Sequence, residues 1–145
     1  MAAALTEQEI RSMAEEWYKK LDVHAPMVEI LPMLAEEGLE MKFPESTLNS
    51  LAGFEGWYQR VIRIFFDEVH TVKEVKAKIN GDTADVHVIV EWHASVWNPP
   101  AEKSARIKLD ADQTWIVKRS PKTGKAVVAT YIVNALNYHP GSAKL

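Results

Sequence analysis

The sequence predicts an α+β fold, with three N-terminal helices packed on one face of a strongly bent antiparallel sheet. Three observations carry that expectation. Helical periodicity fills most of the first half of the chain, and strand alternation takes over from His70 onward. Asn80-Gly81-Asp82 joins two β-rich runs, and Asn-Gly in that setting is the strongest short hairpin signal available. Helices that precede strands linked by turns pack together on one sheet face, and a sheet curved around them leaves a conical cavity at its open end.

Each element has a local reason. Thr6 followed by Glu9 is a capping-box signature, and Ile10, Met13, Ala14, Trp17 and Leu21 then recur at helical spacing, so a first helix is expected over about residues 6–21. Glu15, Glu16, Lys19 and Lys20 face mostly outward. Asp22 to Pro26 breaks the pattern, with Pro26 placed to begin a second helix that turns Met27, Ile30, Leu31 and Leu34 inward. Pro32 should kink or shorten that helix, and Gly38 is placed to stop it. Residues 39–43 read as a short strand ended by Pro44, and residues 45–52 as a polar loop leading to Gly53. A third helix is expected to carry Trp57, Tyr58, Val61, Ile62, Phe65 and Phe66.

The strands follow. One is expected over about residues 70–79, then the longest alternating run of the chain, residues 86–97. One face of this run holds Val86, Val88, Val90, Trp92, Ala94 and Val96, which has the better claim to the core. The other holds His87, Ile89, Glu91, His93, Ser95 and Trp97. Strands over about residues 104–119 and 126–136 complete the set, separated by a turn at Pro121-Lys122-Thr123-Gly124 and followed by a polar tail expected to be mobile.

At 145 residues the chain reads as one domain, ordered over roughly residues 6–137, with length enough to bury a core unaided. A net charge of −3 and no basic block give no footing for nucleic acid. Without cysteine there is no disulfide, thiol nucleophile or thiolate-bound metal. No apolar run is long enough to span a membrane and Met1-Ala2-Ala3-Ala4-Leu5 lacks a signal-peptide pattern, so a cytoplasmic location is the expectation. Five tryptophans are many for this length and point to an aromatic-lined interior.

The layout resembles the SnoaL-like branch of the nuclear transport factor 2-like superfamily. The motifs that carry the resemblance are Trp17-Tyr18 with Leu21-Asp22 closing helix one, Gly53-Phe54-Glu55-Gly56-Trp57-Tyr58, His70-Thr71-Val72, residues 80–85, and Val90-Glu91-Trp92. It spans nearly the whole chain and implies a cystatin-like cone. Ketosteroid isomerases of that superfamily place a Tyr in helix one and acids on two strands. The matching positions here are Trp17, Met41 or Lys42, and Thr114 or Trp115, so that mechanism is disfavoured. Scytalone dehydratase and its relatives fit better, because Asp22, His70 and His93 fall where that enzyme has an Asp and two His. Its substrate-polarising Tyr would fall near Met41 or Phe43 and is missing.

The resemblance implies a small enzyme doing general acid–base chemistry without a cofactor: dehydration, cyclisation or isomerisation of a compact apolar or aromatic molecule. Asp22 would orient His70 as base, and His93 or Glu91 would assist. Trp17, Trp57, Tyr58, Phe66, Trp92, Trp115 and Tyr131 would line the cavity. The alternatives are a non-catalytic binding or assembly domain with the same cavity, and a dioxygenase small subunit. Plainer roles are also open: Asp22 and His24 as helix terminators and caps, His70 as a surface residue paired with Asp67 and Glu68, and Asp110 and Asp112 as solvated carboxylates. A homodimer through the outer sheet face is expected. No metal is expected, since His87, Glu91 and His93 span roughly 20 Å of one strand at ~3.3 Å per residue. Only Glu91 and His93, with a residue from elsewhere, could share an ion.

Overall fold

The computed structural model describes residues 3–145. Its elements are α1 (Glu7–Asp22), α2 (Met27–Ile30) running into a 3-10 turn (Leu31–Met33), β1 (Glu40–Phe43), β2 (Ser46–Leu48), α3 (Leu51–Ile64), β3 (Phe65–Asn80), β4 (Thr83–Val96), β5 (Ala105–Arg119) and β6 (Ala126–Tyr138). Thr6 caps α1 by accepting from the Glu9 backbone N–H at 3.1 Å. Glu9 does not close the box; its carboxylate pairs with Arg119 at the far end of β5. Pro32 converts the second helix to the tighter turn, as its missing N–H dictates.

All six strands form one sheet in the order β2-β1-β6-β5-β4-β3. The four long strands are antiparallel, but β1 runs parallel to β6, with Met41 beside Tyr131, so the sheet is mixed rather than antiparallel throughout. Strand alternation shows which face a residue takes but carries no sign of the neighbour's direction. The expected loop over 45–52 contains β2, which hairpins onto β1, and the first residues of α3, capped by Ser50 accepting from the Gly53 N–H at 3.0 Å. Gly38, with φ +73, sits in the turn before β1 and not at a helix end. The tail is tied down: the His139 N–H donates to the Lys108 carbonyl and the Ala143 N–H to that of Arg106.

The valine face of β4 turns inward. Val86, Val88 and Val90 are buried beside Trp17, Phe54 and Trp115 in a single apolar cluster between α1, α3 and the sheet. β3 departs from simple alternation at two bulges, between Phe66 and Val69 and between Val72 and Glu74. Asp67, at φ +51, is the extra residue of the first. The bulge puts Phe65, Glu68, His70 and Val72 on the inner side and leaves Phe66 and Val69 outside.

Candidate active site

The wide end of the cone holds a cavity of about 330 Å³ between α1, α3 and the inner face of β3 to β6. Its walls are mostly apolar, and Phe43 stacked on Trp57 at 4.1 Å forms one side. Three polar groupings interrupt those walls.

The first is Asp22 with His70. Asp22 closes α1, and His70 follows the β3 bulge, so the helix end and the strand deliver them to one corner. The carboxylate accepts twice from His70: from Nδ1 at 2.6 Å on one oxygen and from the backbone N–H at 3.1 Å on the other. A carboxylate acceptor fixes the proton on Nδ1. Nε2 therefore carries the lone pair, has no protein partner among the described residues, and belongs to a ring that lines the cavity. His70 is 9% exposed and Asp22 22%. The imidazole is held between Tyr18, stacked at 4.8 Å, and Trp92 at 6.0 Å. Asp22 does not cap α2, whose N-cap is Pro26 and which has no side-chain cap.

The second grouping is Glu68, which accepts from Trp92 Nε1 at 3.1 Å and contacts His24 through its other oxygen. His24 reaches it from a left-handed backbone conformation just after α1. The third is a buried network of four side chains. Tyr18 Oη donates to Gln113 Oε1 at 3.0 Å and lies 3.0 Å from Tyr131 Oη, while Trp115 Nε1 donates to the same Gln113 oxygen at 2.9 Å. Burial pushes the Tyr131 phenol up to about 12 and raises Tyr18 well above its ordinary value. Both stay protonated near neutrality and act as hydrogen-bonding groups, not bases. The Gln113 amide nitrogen has no partner among the described residues, and Gln113 lines the cavity.

Of the aromatics named from sequence, Trp57, Tyr58, Trp92 and Tyr131 line the cavity. Trp17 and Trp115 lie behind the wall as core, each almost fully buried. Phe66 is on the outside, 41% exposed, because α3 ends at Ile64 and strand alternation sends Phe65 inward in its place. His93 and Glu91 are on the outer face of β4, across the strand from Val90 and Trp92, and do not join Asp22 and His70. Asp110 and Asp112 share that outer face, where they meet Lys73, His87 and His139.

Sequence reasoning missed Tyr18, Glu68, His24 and Gln113. A signal for Tyr18 existed: Ile10, Ala14, Tyr18 and Asp22 form an unbroken line at four-residue spacing on the inner side of α1. For Glu68 none did, because the bulge that turns it inward has no marker in composition.

No protein-family model matches the chain, and no curated protein matches it. Solved structures do. A nuclear transport factor 2-like superfamily protein from Salmonella enterica aligns at TM-score 0.72 with 11% identity, over 95% of this chain and 92% of its own. A hexachlorocyclohexane dehydrochlorinase aligns at TM-score 0.74 with 12% identity, over 95% and 91%. A protein of unknown function with a cystatin-like fold from Nostoc punctiforme aligns at TM-score 0.71 with 14% identity, over 96% and 95%. At such identities the likeness is one of fold.

Proposed function

We propose that this cystatin-like fold of the nuclear transport factor 2-like type houses a general acid–base enzyme of the lyase or isomerase kind. Its substrate is a compact apolar or aromatic molecule, and no cofactor takes part. The supporting observation is the 2.6 Å contact from His70 Nδ1 to Asp22, which leaves Nε2 as an uncommitted base on an apolar cavity. In a dehydration, Nε2 takes a proton from carbon, and Asp22 stabilises the imidazolium that results. The departing hydroxyl leaves as water with a proton from Glu68 and His24, which take the assisting part that sequence reasoning gave to His93 or Glu91. The proton on His70 returns to that pair through solvent and closes the cycle. The amide nitrogen of Gln113, whose oxygen is held by donors from Tyr18 and Trp115, donates to the substrate oxygen that gains charge.

The cavity suits a ligand of drug-fragment size, with aromatic walls for a flat ring. A panel of small β-hydroxy ketones, cyclic and aryl-substituted, is the direct test, followed by ultraviolet absorbance of the conjugated product. Turnover that survives in His70→Ala would defeat the reading. Saturable binding of aryl ketones with no turnover would make the cavity a binding site, the second reading of this fold. Sedimentation velocity tests the expected homodimer independently of either.

A further inference from the structure

We infer that the outer face of the sheet carries a divalent-cation site of the zinc class, formed by Glu91, His93 and His139. Glu91 and His93 project from the same side of β4, and His139 arrives just beyond the end of β6, so three ligand atoms lie within 4.8 Å of one another. The strand alone could not supply such a site, since His87 lies too far along it. The third ligand comes from a strand two places away in the sheet.

Two further observations favour a cation here. His93 Nε2 is buried and lies 2.8 Å from Glu91 Oε2, but is not aligned for a hydrogen bond to it or to any other of the described residues. A contact this short and this poorly aligned gains from positive charge placed beside both atoms, which a bound ion supplies. In a tetrahedral site with metal–ligand bonds of about 2.0–2.1 Å, neighbouring ligand atoms lie about 3.3 Å apart, so the pair has to open by only about half an ångström to take the ion. In addition, Glu91 stands directly opposite Asp110 across the β4–β5 ladder, a like-charge pairing that destabilises a sheet unless it is neutralised. Lys73 neutralises part of it, 3.1 Å from Glu91 Oε1 and 3.2 Å from Asp110 Oδ2. It uses the other oxygen of Glu91, so the one facing His93 stays available. His139 Nε2 lies 2.9 Å from Asp110 Oδ1, a carboxylate outside the converging trio that holds the ring in place. Two imidazoles with one carboxylate are a donor set suited to zinc.

The site lies on the opposite side of the sheet from the cavity and does not depend on the proposed chemistry. The test uses the full chain, stripped of metal with a chelator, and Zn²⁺ alone as probe. Binding is measured by competition with a chromophoric chelator, and the imidazole resonances are followed by NMR through one equivalent. Saturation is expected at one Zn²⁺ per chain, with His93 and His139 shifting and His24 and His70 unmoved. His93→Ala and His139→Ala each weaken binding at least about ten-fold. His87→Ala, which removes a histidine of the same face held by Glu74 and Asp112, leaves the affinity unchanged. The inference is overturned if there is no saturation at one equivalent, if both alanine variants keep the affinity, or if the shifts appear at His24 or His70 instead.

Discussion

Replacing Asp22 by Asn tests the corner where α1 meets β3, and its effect can be read before any substrate is known. The carboxylate accepts two hydrogen bonds from one residue, at 2.6 Å from His70 Nδ1 and 3.1 Å from the His70 backbone N–H. An amide has a single acceptor oxygen. The backbone N–H cannot reverse its role, so the amide oxygen goes there and the NH2 faces the ring. Nδ1 must then become an acceptor, and the imidazole proton moves to Nε2, on the cavity side. A base becomes a donor with almost no change of shape. Losing one charge-assisted hydrogen bond costs about 1–3 kcal/mol, or roughly 2–10 °C in Tm for a chain of this size. The loss of a general base lowers turnover by about 10²–10⁴-fold. The assay is nitrogen-15 NMR of the histidine side chains near pH 8, where each ring nitrogen reports whether it is protonated. The parent protein should show His70 protonated at Nδ1 and Asp22→Asn at Nε2. If the tautomer is the same in both, or already at Nε2 in the parent, the orienting role assigned to Asp22 is refuted.

Other expectations follow from the same geometry. Tyr18→Phe removes a hydroxyl shared by Gln113 and Tyr131 and should cost about 1–3 kcal/mol, and Tyr131→Phe less; the double variant should cost less than the sum by about 0.5–1.5 kcal/mol in urea unfolding, with additivity arguing against the shared bond. Phe65→Ala should lower stability by about 1–3 kcal/mol and weaken the binding of aryl ligands, while Phe66→Ala should stay within about 0.5 kcal/mol of the parent and bind as before; equal effects would contradict the placement of the α3–β3 junction. Lys73 hydrogen bonding holds Glu91 below the usual carboxylate range, and Asp110 is also lowered, its partial burial being outweighed by His139 and Lys73. Depressed carboxylates stabilise the fold above their unfolded-state values, and that contribution is lost as pH falls through the folded ones. Lys73→Met should therefore lower the urea midpoint at pH 7, with the gap to the parent closing in acid; a gap that is constant with pH would count against an electrostatic role.

Much of the fold was legible because local signals agreed with one another. The Thr6 cap, the valine alternation of β4 and the Asn80-Gly81 turn each point to one element, and each lies where expected. The parallel pairing of β1 with β6 was not legible, because it joins Met41 to Tyr131 across most of the chain and local periodicity is blind to such partners. The boundary at Phe65 was lost for a different reason: aromatic residues continue smoothly from α3 into β3, so composition does not change where geometry does. Of the site, Asp22 and His70 could be named from a family resemblance, and their contact could not. Nothing in the spacing of His93 warned that it shares a face with His139 rather than with His70, except the stronger claim of the valines to the interior.

The bulge at Asp67 absorbs one residue of chain length in the cavity wall. Phe65 looks in and Phe66 out before it, Glu68 looks in and Val69 out after it, and Asp67 is left over between two stretches of ordinary alternation. Deleting Asp67 should therefore restore regular pairing with Glu68 and His70 still at the cavity. A residue lost elsewhere in β3, with no bulge to absorb it, would instead turn one side of the cut to the opposite face. When related chains are aligned, a one-residue gap between positions 66 and 69 is thus compatible with a histidine that stands at the cavity in both.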